Sequence, residues 1–171
     1  MRRLAGHDYR AEGSYFVTIC ANRRQTLYVE PEAIQVVEEA WARLPQHHPN
    51  VRTDVFVVMT NHVHGIVWLA APVVKQPAAD GIHTAPGSLS TIVRSFKSSV
   101  SRELRLQGLV EGTVWQQSFW DRVIRNEDEL NRIRQYIAFN PIAWEFDHEN
   151  PGRNSDAEYD RAWSWLERAA P

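Results

Sequence analysis

Two pairs of side chains in this sequence have the types and spacing to do chemistry. In the stretch "MTNHVHGIVWL", His62 and His64 stand one residue apart within an otherwise apolar run. Alternate side chains of a strand share a face, so both imidazoles point the same way, with Cα atoms roughly 6.5–7 Å apart, while Val63 points to the other side. Two imidazoles at that separation can converge on one metal ion. Burying them without partners would cost a few kcal/mol. The second pair is Tyr136 and Asn140, four residues apart in a segment of helical pattern and therefore one above the other on a single face. A tyrosine hydroxyl can act as a nucleophile, and an asparagine amide oxygen is a hard ligand for a divalent cation. Each pair also has a plainer account. An H-x-H triplet arises by chance, Tyr136 suits an amphipathic core position, and Asn140 suits a helix C-cap ahead of Pro141.

The elements that would carry these residues are legible from periodicity. "SYFVTICA" (residues 14–21) has the β-branched and aromatic content of a buried strand. "PEAIQVVEEAWARL" places Ile34, Val37, Trp41 and Leu44 at helical spacing behind an N-terminal proline. "VRTDVFVVM" and "HVHGIVWL", separated by Thr60 and Asn61, predict a β-hairpin. Residues 70–87 are rich in Ala, Pro and Gly with no period, which predicts a loop. In "SLSTIVRSFKSSVSREL" a stripe of Leu89, Ile92, Val93, Phe96, Val100 and Leu104 predicts a helix, with Arg94, Lys97 and Arg105 off the stripe. "VWQQSFWDRVIR" reads as a strand or short hairpin. In "NEDELNRIRQYIAFNP" Asn126 is a good N-cap, residues 127–129 suit a helix start, and Pro141 ends the helix. The order β-α-β-β-α-β-α predicts an α+β domain, an antiparallel sheet covered by helices.

Length and composition bound the rest. A chain of 171 residues with 43% hydrophobic content is the size of one domain. No segment approaches the roughly 18 apolar residues of a membrane span, which leads to the expectation of a soluble, cytoplasmic, nucleoid-associated protein. The single cysteine, Cys20, excludes an intramolecular disulfide. A formal net charge of -2 hides an uneven distribution. Residues 1–29 carry five arginines against two acids, and residues 81–125 carry six cations against three acids. Residues 145–171 carry three arginines against seven acids. All but two of the 19 cations are arginine, which binds phosphate bidentately and stacks on bases. The expected organisation is a main domain over 1–147 and an acidic C-terminal tail or helix over 148–171. That tail either competes with phosphate for the cationic surface or docks a terminal helix through Trp163, Trp165 and Leu166.

Taken together, "GSYFVTICANRR", "MTNHVHGIVWL", "SLSTIVRSFKSSVSREL" and "WQQSFWDRVIRNEDELNRIRQYIAFNPIAW" make the chain resemble the HUH-type single-tyrosine DNA transposases, most closely the REP-associated tyrosine transposases. The motifs occur in the family's order and span most of the chain. The resemblance implies a ferredoxin-like, palm-like HUH nuclease core. It implies that Tyr136 is the nucleophile and that His62, His64 and Asn140 hold a divalent metal, Mg²⁺ or Mn²⁺. The reaction implied is metal-dependent cleavage and rejoining of single-stranded DNA through a 5′-phosphotyrosine, on a hairpin of a repetitive palindrome. A monomer with its site assembled in cis is implied as well. Phosphate-binding candidates are Arg2, Arg3, Arg94, Lys97, Arg102, Arg122 and Arg125, and Arg132, one turn before Tyr136, could favour the phenolate or bind phosphate. A free tyrosine has a pKa near 10, and no residue identifies itself in the sequence as the base that would take its proton. Two other readings compete: a metal phosphodiesterase that uses water, and a repeat-DNA-binding protein that does not cut.

Overall fold

The computed structural model describes residues 7–70 and 87–167; Arg2, Arg3 and nearly all of the expected 70–87 loop lie outside them. The chain runs through β1 (Gly13–Cys20), α1 (Pro31–Ala42), a short α2 (Leu44–His47), β2 (Val51–Val58), β3 (His62–Leu69), α3 (Leu89–Leu106), β4 (Trp120–Ile124), α4 (Glu127–Phe139) and α5 (Ala157–Glu167). Among the described residues the strands form one sheet in the order β2-β3-β1-β4, antiparallel throughout. The α+β class expected from the sequence is the class observed.

The two-residue period of the strands divides the core into two layers. Val63, Val67 and Leu69 of β3, with Tyr15, Val17 and Ile19 of β1, pack with the apolar stripes of α1 and α3. Ile66 of β3 and Phe16 of β1 pack on the opposite side with Leu130, Ile133 and Ile137 of α4 and Leu166 of α5. His62 and His64 share the parity of Ile66, so they belong to the α4 side of the sheet. The central position of β3, bonded to β1 on one edge and β2 on the other, gives them a rigid support.

Local signals explain the element ends. All six residues of the predicted α3 stripe are buried, and Ser88 caps the helix by accepting from Thr91 N. Asn126 caps α4, its side chain accepting from Glu129 N at 2.8 Å, a contact of about 1 kcal/mol. The hairpin between β2 and β3 closes through Met59 N donating to His62 O at 2.9 Å. One expectation is narrowed. Of residues 114–125 only Trp120–Ile124 form a strand. The preceding segment is laid instead over α3, because Trp115 Nε1 donates to Lys97 O and Lys97 Nζ donates back to the carbonyls of Gln116 and Ser118.

Candidate active site

β3 and α4 bring the two sequence pairs together. Nε2 of His62 and Nε2 of His64 are 2.9 Å apart, and the hydroxyl of Tyr136 lies 3.4 Å from His64 Nε2. Asn140, the C-cap of α4, is 1% exposed and its Oδ1 has no hydrogen-bond partner. An unpartnered buried amide oxygen costs free energy, so its presence beside the site points to a ligand.

The surrounding bonds decide which nitrogens are available. Asn61 Nδ2 donates to Glu149 O, so Asn61 turns its Oδ1 to His62, 2.8 Å from Nδ1. An amide oxygen only accepts. His62 Nδ1 therefore carries the proton and Nε2 keeps its lone pair. His64 Nδ1 lies 2.9 Å from the hydroxyl of Thr18, its register partner on β1. That hydroxyl can donate or accept, so it supports His64 in either tautomer, including the one with a bare Nε2. Burial keeps both rings neutral. It lowers the His62 pKa well below the ordinary value, with the neighbouring His64 adding to the effect, and lowers that of His64 to about 4.

These donors fit a divalent cation. Ligand bonds of about 2.1 Å at right angles put neighbouring donor atoms about 3.0 Å apart, close to the separation of the two Nε2 atoms. Among the described residues no three His, Cys, Asp or Glu side chains converge on one point, so the set available is two imidazoles and the amide oxygen of Asn140.

Several residues that the sequence did not single out complete the site. Asp147 is fully buried, and its Oδ2 accepts from Tyr136 Oη at 3.0 Å, Asn140 Nδ2 at 2.6 Å and Tyr159 Oη at 3.2 Å. Burial foremost, then the charge of Asp147, raises the pKa of Tyr136 well above the ordinary value, so its hydroxyl is protonated in the free protein. Trp163 of α5 covers the Tyr136 ring at 5.2 Å between centroids. A cavity of about 250 Å³ opens beside the pair, lined by Phe16, Thr18, Trp120, His148, Glu149 and Trp163 among others. Thr18 and Asn61 carried a weak signal, as polar residues beside apolar or histidine positions. Asp147 and Tyr159 carried none, because they sit in the acidic C-terminal stretch.

The expected cationic residues fall into different environments. Arg94 and Arg102 are exposed on α3, across the sheet from Tyr136, and Arg125 is exposed at the end of β4. Lys97 and Arg122 are engaged inside the protein. The Lys97 ammonium holds backbone carbonyls, and burial lowers its pKa to about 8. Arg122 pairs with Glu129 at 2.6 Å and donates to the carbonyls of Trp165 and Leu166. Arg132 lies over the Trp165 ring at 4.0 Å, a cation–π contact that ties it to α5. The C-terminal stretch is thus docked by Arg122, Arg132 and Tyr159, and the division placed after Asp147 runs through the site itself.

Comparison with known proteins finds relatives in sequence and in fold. No family model matches the chain. An uncharacterized protein of Haemophilus influenzae is 34% identical over 164 residues, covering 85% of this chain and 89% of its own. A second protein of that organism, provisionally named a REP-associated tyrosine transposase, is 24% identical over 79% of this chain and 73% of its own. A solved REP-associated tyrosine transposase bound to a REP hairpin shares the fold, with a TM-score of 0.58 at 24% identity over 83% of this chain and 73% of that one. On a sheet of this shared fold the chain sets a helix-borne tyrosine against paired histidines. The chain is similar in sequence to that provisionally named transposase and in fold to the hairpin-bound one. No helix among the described residues is long and apolar enough to cross a membrane.

Proposed function

We propose that the protein cleaves and rejoins single-stranded DNA at a repetitive palindromic hairpin through a covalent bond to Tyr136. The observation that carries this reading is the position of the Tyr136 hydroxyl, 3.4 Å from His64 Nε2 and 3.0 Å from Asp147 Oδ2. His62, His64 and Asn140 would hold Mg²⁺ or Mn²⁺, and the bound cation would polarise the scissile phosphodiester and stabilise the charge developing on it. Tyr136 Oη attacks phosphorus, its proton passes to Asp147 Oδ2, the P–O3′ bond breaks, and Asp147 returns the proton to the departing 3′ oxygen. The products are a 5′-phosphotyrosine and a free 3′-hydroxyl. Attack by another 3′-hydroxyl reverses the step and joins strands, because the covalent intermediate conserves the bond energy.

Trp163 and Phe16 restrict water around Tyr136, and His148 and Glu149 line the cavity beside it. Among the described residues, Arg94 and Arg102 are exposed members of the cationic set that phosphates can reach, and Lys97 and Arg122 are assigned structural roles. All four site residues come from one chain, which supports a monomer with its site in cis.

The test is incubation of the protein with end-labelled single-stranded hairpins and Mn²⁺, with and without EDTA, followed by denaturing electrophoresis. A protein-linked fragment that depends on Mn²⁺ is the expected product. Cleavage without an adduct would indicate a phosphodiesterase using water, and binding without cleavage would indicate a repeat-binding protein.

A further inference from the structure

The buried carboxylate of Asp147 has no part in the sequence motifs, yet it is bonded to both functional residues of α4. Its Oδ1 accepts from Glu149 N at 2.6 Å, while Oδ2 accepts from Asn140 Nδ2, Tyr136 Oη and Tyr159 Oη. A carboxylate in this setting only accepts. Asn140 must therefore turn its nitrogen to Asp147, and its carbonyl oxygen is left as the atom without a partner. A flipped amide would set two oxygens against each other at 2.6 Å and leave Nδ2 as the unpartnered atom, which repels a cation.

We infer that Asp147 is a positioning residue for the metal ligands: it holds Asn140 in the one amide orientation that offers oxygen, and not nitrogen, to the cation. The inference rests on the ligand set proposed above. It also explains why a residue beyond α4 is bonded to the ligand set. The chain turns back through Trp144–Phe146 so that Asp147 lies seven residues after Asn140 and against it.

The experiment measures binding of Mn²⁺ alone, without DNA, by electron paramagnetic resonance of the free ion. Asp147→Asn can present its own amide nitrogen to Asn140, which lets the Asn140 amide invert. Its Mn²⁺ dissociation constant should rise at least about tenfold, the usual scale for loss of an orienting partner. Hairpin affinity in EDTA should stay within about threefold, since phosphate contacts elsewhere set it. The deciding variant is the swap, Asn140→Asp with Asp147→Asn, in which both oxygens of residue 140 can serve as ligand and residue 147 donates to it. One of the Tyr136 and Tyr159 hydroxyls can turn to accept the second amide hydrogen. Mn²⁺ affinity should return to within about threefold of wild type, a recovery that a residue needed only for folding would not produce. Thermal midpoints identify any variant that has lost its fold, and if Asp147→Asn has, the folded swap alone decides. Undiminished Mn²⁺ affinity in a folded Asp147→Asn, or a folded swap that does not recover, overturns the inference. A wild-type protein that binds no Mn²⁺ and forms no adduct overturns the proposed function instead.

Discussion

Trp41 of α1 lies against β3 at Gly65 so closely that a Cβ built there would meet the indole Cζ2 at 2.5 Å. The indole is stacked on Phe56 of β2, with centroids 4.3 Å apart and planes 15° from parallel, so it has no free direction in which to retreat. The strand that carries the histidines is pinned to α1 one residue after His64. Gly65→Ala should therefore cost about 1–3 kcal/mol, the usual range for overpacking. A thermal or urea midpoint equal to that of wild type would refute the close fit.

Tyr136→Phe removes one hydroxyl and none of the cationic surface. Adduct and cleavage should both vanish on denaturing gels, while hairpin binding by electrophoretic mobility shift stays within about threefold. Cleavage persisting at the wild-type rate would exclude Tyr136 as the nucleophile.

The cis arrangement has its own test. A mixture of His64→Ala and Tyr136→Phe proteins contains one intact tyrosine and one intact histidine pair, on different chains. No cleavage should be recovered in the mixture. Restored adduct formation would mean that the site is shared between two chains.

Docking of the C-terminal helix is read by Leu166→Ala. Leu166 is 5% exposed and packs with the α4 layer of the core. Its truncation should lower stability by about 2–4 kcal/mol, as for other buried leucines. A tail that merely hovers near the cationic surface would show only tenths of a kcal/mol in the same denaturant titration.

Asp54 supplies a pH-dependent term. It sits at the irregularity of β2 between Thr53 and Phe56, accepting from Arg134 Nη2 at 2.6 Å and from Trp68 Nε1 at 3.1 Å. The Arg134 hydrogen bond, above all, holds its pKa below the ordinary carboxylate value. A folded pKa lower than the unfolded one contributes stability that is present above about pH 3.9 and is lost as pH falls through the folded value. Asp54→Asn should cost about 1–2 kcal/mol at pH 7, discounted for the partial exposure of Arg134. The gap between wild type and variant should narrow as urea midpoints are followed from pH 7 down to about 3. A gap that stays constant over that range would show that the ion pair contributes nothing.

What the sequence by itself determined is whatever depends on neighbours along the chain. The parity of β3 put His62 and His64 on one face, the i, i+4 relation put Tyr136 and Asn140 on one side of α4, and the caps at Ser88 and Asn126 set helix starts. These follow from backbone geometry, which a few consecutive residues are enough to impose. The tertiary structure decided which of two faces became the site, and which charges were already engaged. Arg122 and Lys97 carry the same local signal as Arg94 and Arg102, but Glu129 and a row of backbone carbonyls take up their charge. Arg132 shares a helix face with Tyr136, yet its guanidinium lies over Trp165, thirty-odd residues later in the chain. Asp147 had no local mark at all, being one of seven acids in an acidic stretch. Its role arises because the chain folds back after α4 and excludes water from a carboxylate, and a buried carboxylate must find donors wherever packing brings them. Here packing brought Tyr136, Asn140 and Tyr159, a meeting that no spacing rule contains.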